Sequence, residues 1–125
     1  MKYFLILLQL FFLSQLSIAE RNHAEHVMIV RDAFGVPHIF GEKDQDVAYG
    51  LAWANSEDDF KTMQETVAAT KNLQARIKGK DGASMDYLVH AFNSRELVEK
   101  EYETQLSPEY RAYVEAYAKG VNDFA

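Results

Sequence analysis

The chain has 125 residues, enough for one domain at most, and its 48% hydrophobic and 26% charged content is ordinary for a globular protein. Its formal net charge of -6 is spread along the sequence, and no run of Lys or Arg offers a phosphate-tracking surface, which argues against nucleic acid as a partner. Cysteine is absent, so disulfides, thiolate chemistry and a lipoprotein anchor are excluded and packing alone holds the fold.

Taken in order, the chain opens on a targeting segment. Met1-Lys2 supplies a short positive region, Tyr3 to Leu13 is apolar except for Gln9, and Ser17-Ile18-Ala19 places small residues where a signal peptidase reads. Cleavage before Glu20 is expected, which makes residues 1–19 a signal peptide and residues 20–125 the mature chain. The apolar stretch is shorter than the roughly 20 residues that span a bilayer, so no stable membrane anchor is expected and the protein is read as exported, periplasmic or secreted.

Glu20 to His26 is polar and reads as loose. Val27 to Arg31 has the β-branched character of a strand. Asp32-Ala33-Phe34-Gly35 supplies turn chemistry, and Val36 to Phe40 returns as a second strand. Pro37 lacks an amide hydrogen, so it belongs at an edge, a strand end or a bulge. His38 has no His, Glu or Asp at ligand spacing within a predicted element, and the expectation is a structural histidine hydrogen-bonded in or near the hairpin. His23 and His26 lie in the polar leader of the mature chain.

From Asp44 the pattern changes to helix. Asp44 or Asp46 is placed to cap the first amides, and Val47, Leu51 and Ala54 recur at helical spacing. Gly50 sits within the small-residue cluster Ala48, Ala52 and Ala54. A helical glycine costs roughly 1 kcal/mol against alanine, which predicts close approach by another element. Phe60, Met63 and Val67 continue an apolar face at a shifted angle. Glu57, Asp58 and Asp59 lack the alternating ligands and glycine turn of a calcium loop and are expected to form a solvated or ion-paired helix face.

Residues 70–82 read as a loop around a short segment, Leu73 to Ile77. The Gly79/Gly82 pair has neither the preceding strand nor the following Lys-Ser/Thr of a phosphate loop. Ala83 to Gln105 reads as helix, bent near Asn93-Ser94, with a stripe of Tyr87, Leu88, Ala91 and Phe92 that Leu97, Val98 and Tyr102 extend. Ser107-Pro108-Glu109 is a helix start signal. Tyr110, Tyr113, Val114, Tyr117, Val121 and Phe124 then form a wide apolar face, expected to be core packed on the preceding helices.

Two segments carry a family resemblance. Phe34-Gly35-Val36-Pro37-His38-Ile39, followed by Tyr49-Gly50 and the acidic pair Glu57-Asp58, resembles the start of the α chain in the penicillin acylase family of N-terminal-nucleophile (Ntn) amidases. Ala116-Tyr117-Ala118-Lys119-Gly120-Val121-Asn122 resembles a later segment of the same chain. The resemblance implies a complete enzyme with the four-layer αββα sandwich of Ntn hydrolases. The present chain would be an α+β piece of it, mostly helical with one short N-terminal hairpin. It also implies an exported precursor cut autocatalytically into α and β chains. The new β-chain N-terminal residue, usually Ser, attacks an amide carbonyl with its own amine as base, and the net reaction cleaves a linear amide into an acid and an amine. Penicillins and acyl-homoserine lactones are the substrate types implied, and the run from Gly50 to Ala54 leans to the acyl-homoserine-lactone branch.

The final helix stripe runs to Ala125 without a cap, which is expected of an N-terminal fragment. No glycine is followed by Ser, Thr or Cys. A cut before Ser84 would leave too short a β chain, and no Ser-His-Asp arrangement assembles. No catalytic, cofactor or metal residue is therefore assigned to this chain. Calcium is implied for the full-length enzyme only, and the implied partner is the β chain of the same precursor, acting on a small N-acyl amide. The fragment alone would be inactive. The alternative is a small exported helical module that binds a partner without catalysis.

Overall fold

The structure is a computed structural model and describes residues 21–125; the expected signal peptide lies outside the described residues. A single 3-10 turn, His23–Glu25, leads into β1 (Val27–Arg31), which pairs antiparallel with β2 (Pro37–Gly41). Five helices follow: α1 (Asp44–Thr70), α2 (Gln74–Lys78), α3 (Lys80–Ala91), α4 (Ser94–Gln105) and α5 (Pro108–Phe124). The chain is thus α+β and mostly helical, with one short hairpin, as the sequence predicts.

Asp32 builds the hairpin turn. Its Oδ1 accepts the amides of Phe34 at 2.8 Å and Val36 at 3.0 Å, and its own amide donates to Val36 O at 3.1 Å. Those amide bonds, from Val36 first, hold the Asp32 carboxyl below its usual range. Gly35 takes φ 83°, which a side chain would resist. Pro37 is the first residue of β2, a position where its missing donor costs no ladder bond. His38 Nε2 lies 3.3 Å from Asp32 Oδ2, so this histidine braces the turn.

α1 is the centre of the molecule, and its small residues decide what touches it. A Cβ on Gly50 would fall 2.5 Å from Val27 Cγ2 and 2.8 Å from Ile39 Cγ2, so the inner face of the hairpin rests on that glycine. Gly120 of α5 performs the same service on the other flank. A Cβ there would fall 2.5 Å from Tyr49 O and 2.9 Å from Ala52 Cβ. The buried hydrophobic residues are accordingly small: Ala48, Ala52, Ala54, Ala68 and Ala116, with Tyr49 the exception.

α1 bends at Asp59, whose φ of -155° and ψ of 67° are non-helical. Asp59 Oδ1 accepts the Thr62 amide at 3.1 Å and restarts the helix as an internal cap. The bend is the physical reason that Phe60, Met63 and Val67 follow a rotated stripe.

The structure corrects four expectations about the helices. The cap of α1 is neither Asp44 nor an Asp46 N-cap; the cap position is Lys43, and Asp46 reaches back from the first turn to the Lys43 amide at 3.0 Å. Residues 70–82 are not a loop. Asn72 (φ 57°) and Gly79 (φ 63°) are the only left-handed breaks there among the described residues, and α2 and the first turn of α3 fill the rest. Both Asp86 carboxylate oxygens accept the free amides that start α2, Gln74 at 2.9 Å and Ala75 at 2.8 Å. Gly82 lies inside α3 because a side chain there would overlap the Gln74 backbone. The bend expected near Asn93 is a full break, with Asn93 left-handed at φ 49° between α3 and α4.

The fourth correction concerns the stripe of α5. Ser107 caps that helix as predicted, accepting the Tyr110 amide at 3.2 Å. Its buried residues, however, are Ala116 and Gly120, while Tyr110 is exposed and Tyr113 and Tyr117 are half-buried. Helices that approach this closely meet through residues without bulk, which leaves the aromatic side chains flanking the seam.

Candidate functional site

The densest constellation of polar side chains surrounds Asp46, which is fully buried. It occupies the first turn of α1, where the positive end of the helix favours a carboxylate. Arg21 forks onto it, Nε donating to Oδ1 at 2.8 Å and Nη2 to Oδ2 at 2.7 Å. His23 Nδ1 lies 2.8 Å from Oδ1. With the Lys43 amide, every side of the carboxylate is engaged. The Arg21 guanidinium, and then the His23 ring, hold Asp46 well below the usual carboxylate range against the opposing effect of burial. Arg21 is correspondingly held above its usual value by Asp46 and then Glu42.

His23 extends the network into the aromatic layer. Its ring stacks on Tyr49 at 5.8 Å, and Tyr49 on Trp53 at 6.3 Å. Phe124 of α5 then meets Trp53 edge-on at 5.4 Å and Phe60 at 5.2 Å. Tyr49 donates its hydroxyl to Asp123 Oδ2 at 3.0 Å, tying α1 to the end of α5. Burial first, and Asp123 second, push the Tyr49 phenol up. Lys119 first, and Tyr49 second, pull Asp123 down.

Glu20 to His26 was expected to be loose, yet Arg21 and His23 anchor it to the helix. No periodicity announces this clamp. Its one legible signal is an acidic residue in the first turn of a strong helix, preceded by a segment rich in Arg and His. A cavity of about 310 Å³ lies beside the clamp, lined by Arg21, His23, Lys43, Glu115 and Lys119 among others. Two of its charges are already paired, Arg21 with Asp46 and Lys119 with Asp123 at 2.9 Å.

The acidic run on α1 is ion-paired, as expected. Arg31 of β1 reaches Glu57 at 3.1 Å and Asp58 at 2.8 Å. Asp59 spends its carboxylate on the Thr62 amide. Among the described residues no three His, Asp or Glu side chains converge on one point, so the residues present do not fit the calcium implied for the complete enzyme. Ser56, the buried serine, donates its hydroxyl to Ala52 O at 2.7 Å, as a helix-backbone contact. Ser84 is exposed on α3, remote in sequence from the Asp46 network. Among the described residues no helix is long and apolar enough to cross a membrane.

Comparison with known proteins places this geometry. The profile of the penicillin amidase family matches residues 26–125. An acyl-homoserine lactone acylase PvdQ from Pseudomonas savastanoi pv. phaseolicola is 27% identical over 117 residues, covering 87% of this chain and 15% of the relative. Penicillin G acylase from Escherichia coli is 27% identical over 106 residues, covering 85% of this chain and 12% of the relative. The chain therefore spans only 12–15% of the length of these curated relatives. The two kinds of acylase are equally similar, so identity does not separate the branches. Among solved structures, the thermostable penicillin G acylase from Alcaligenes faecalis matches with a TM-score of 0.69 at 24% identity, over 78% of this chain and 52% of that one. The fold built from the small-residue faces of α1 is therefore shared with a penicillin acylase, and the chain belongs to the penicillin amidase family.

Proposed function

We propose that this chain is the N-terminal part of the α chain of an exported Ntn amidohydrolase, and that it supplies scaffold to the enzyme without supplying its nucleophile. The complete enzyme hydrolyses the linear amide bond of a small N-acyl compound, a β-lactam antibiotic or an acyl-homoserine lactone, to a carboxylic acid and an amine. Its nucleophile is the N-terminal residue of the β chain released from the same precursor, with the α-amine of that residue as general base. The observation that carries this reading is the state of the titratable groups. In a chain with the acylase fold, Asp46, Asp123, Glu57 and Asp58 are each consumed by a structural partner, and Ser56 by a backbone carbonyl. One relative, from a Pseudomonas species, is named a penicillin acylase 2 proenzyme, which supports a precursor that is cut.

The test is to read the source DNA across and beyond codon 125. The expected result is an open frame of several hundred codons with a small residue-Ser junction. The product of that frame should release acid from penicillin G or an acyl-homoserine lactone and lose this activity when the junction serine becomes alanine. A stop codon directly after codon 125, reproduced in the transcript, would sink the enzyme reading.

A further inference from the structure

The stretch from Arg21 to His26 is tied at both ends to the start of α1 and the turn before it. Arg21 forks onto Asp46 at 2.8 and 2.7 Å and also reaches Glu42 at 2.9 Å. His23 adds a contact of 2.8 Å to the same buried carboxylate and stacks on Tyr49. His26 Nδ1 lies 3.2 Å from Glu42 and closes the far end. Between these ties the backbone is curled, with the Glu25 amide on Asn22 O at 3.2 Å and the His26 amide on His23 O at 3.0 Å. A 3-10 turn advances about 2.0 Å per residue against about 3.3 Å in a strand. The stretch is neither extended nor free.

The sequence places a processing bond directly before this clamp. Cleavage is expected between Ala19 and Glu20, a bond that lies outside the described residues, and Arg21 is the second residue after it. A peptidase takes the bond it hydrolyses as part of an extended segment, so a bond beside folded backbone is cut only when that backbone opens. Two extended residues reach roughly 7 Å, which is short beside the radius of gyration of about 13 Å for a 100-residue domain. The clamped body therefore stands where the peptidase has to be. Asp46 follows Arg21 by 25 residues. At the usual 5–20 residues per second of synthesis, the clamp lacks its partner for about 1–5 s, and the bond is open during that interval.

We infer that the Asp46 clamp gates removal of the signal peptide. Water adds across the Ala19–Glu20 bond, leaving an Ala19 carboxylate and a Glu20 amine, only while Arg21 and His23 are off Asp46. Removal precedes closure of the N-terminal segment on α1, and a chain that folds first keeps its signal peptide. The identity of the bond rests on the export proposed above; the lock on residues 21–26 does not.

The test follows two cuts in the purified chain, signal peptide attached, in detergent solution. A bacterial signal peptidase probes Ala19–Glu20. Trypsin probes Arg21–Asn22, where the arginine has to leave Asp46 to enter the protease. A peptide of residues 1–30, which lacks Asp46, sets the open rate of each cut, and mass spectrometry counts the products. Both cuts should run slower in the chain than in the peptide by about tenfold or more. His23→Ala should speed both, and Asp46→Asn should bring them near the peptide rate. Trypsin cutting after Lys119, inside α5, reports opening of the whole fold and should keep the parent rate in His23→Ala. Equal rates in chain and peptide, or no gain in either variant, would overturn the gate. So would a His23→Ala chain in which the Lys119 cut accelerates in step with the other two, because the protection then belongs to the fold at large. A peptide that the signal peptidase leaves intact overturns the processing bond and the gate with it, while the trypsin cut still decides the clamp.

Discussion

The body formed by the hairpin, α1 and α5 and the arm formed by α2, α3 and α4 both carry large apolar residues, yet they treat them in different ways. In the body the contacts run through Gly50, Ala52, Ala116 and Gly120, and large side chains gather around those seams. In the arm the close approach at Gly82 joins α3 only to the short α2, and the large residues do not gather around it. Tyr87 and Phe92 are 70% and 76% exposed, and Leu97 and Val98 are more than half exposed. Helical periodicity is present in both regions. What differs is whether small residues let a second backbone come close enough for the large ones to be covered.

Three substitutions sharpen that contrast, and the largest effect belongs to the body. Gly120→Val places a branched Cβ against the Tyr49 carbonyl oxygen, a backbone atom that cannot rotate away. The expected cost is above about 3 kcal/mol, beyond the usual range for overpacking. Chemical denaturation should show the loss, and a midpoint like that of the parent would mean that α5 does not pack where the structure places it.

The second tests the polar side of the body. Asp46→Ala removes both Arg21 bonds, the His23 contact and the Lys43 amide bond, at a cost of about 2–3 kcal/mol for hydrogen bonds to a charged group. The same group sets a pH dependence. Because its folded pKa lies below its unfolded one, Asp46 stabilises the fold at every pH above the ordinary Asp value of about 3.9, and this contribution fades as pH falls further. The parent should lose stability across that acid range and the alanine variant should lose less. Parallel acid profiles for the two would remove Asp46 from the account.

The smallest effect should come from the arm. Phe92→Ser on the exposed end of α3 should change stability by no more than about 0.5 kcal/mol, with reduced self-association because an exposed apolar group is gone. A destabilisation comparable to that of the body variants would show that the arm is packed after all.

Several features were readable before the structure. The hairpin followed from β-branched runs around Asp32–Gly35, and the start of α5 from Ser107-Pro108. Gly50 announced a close approach because nothing else justifies glycine within that helix. The Asp46 clamp was invisible, since Arg21 and His23 belong to a segment with no pattern of its own and their partner is more than twenty residues away. Gly82 was misread for a related reason. A glycine that marks a turn and a glycine that admits a neighbouring backbone look identical in one dimension.

The sequence by itself determined the hairpin, the long helix after it, the final helix and the family to which the chain belongs, because turn chemistry, capping and 2.0- or 3.6-residue periodicity act between near neighbours. Only the tertiary structure decided which residues are buried, since burial depends on where a second backbone arrives. It arrives at Gly82 and Gly120, while hairpin side chains settle on Gly50, and Tyr110 and Phe92 are left in water.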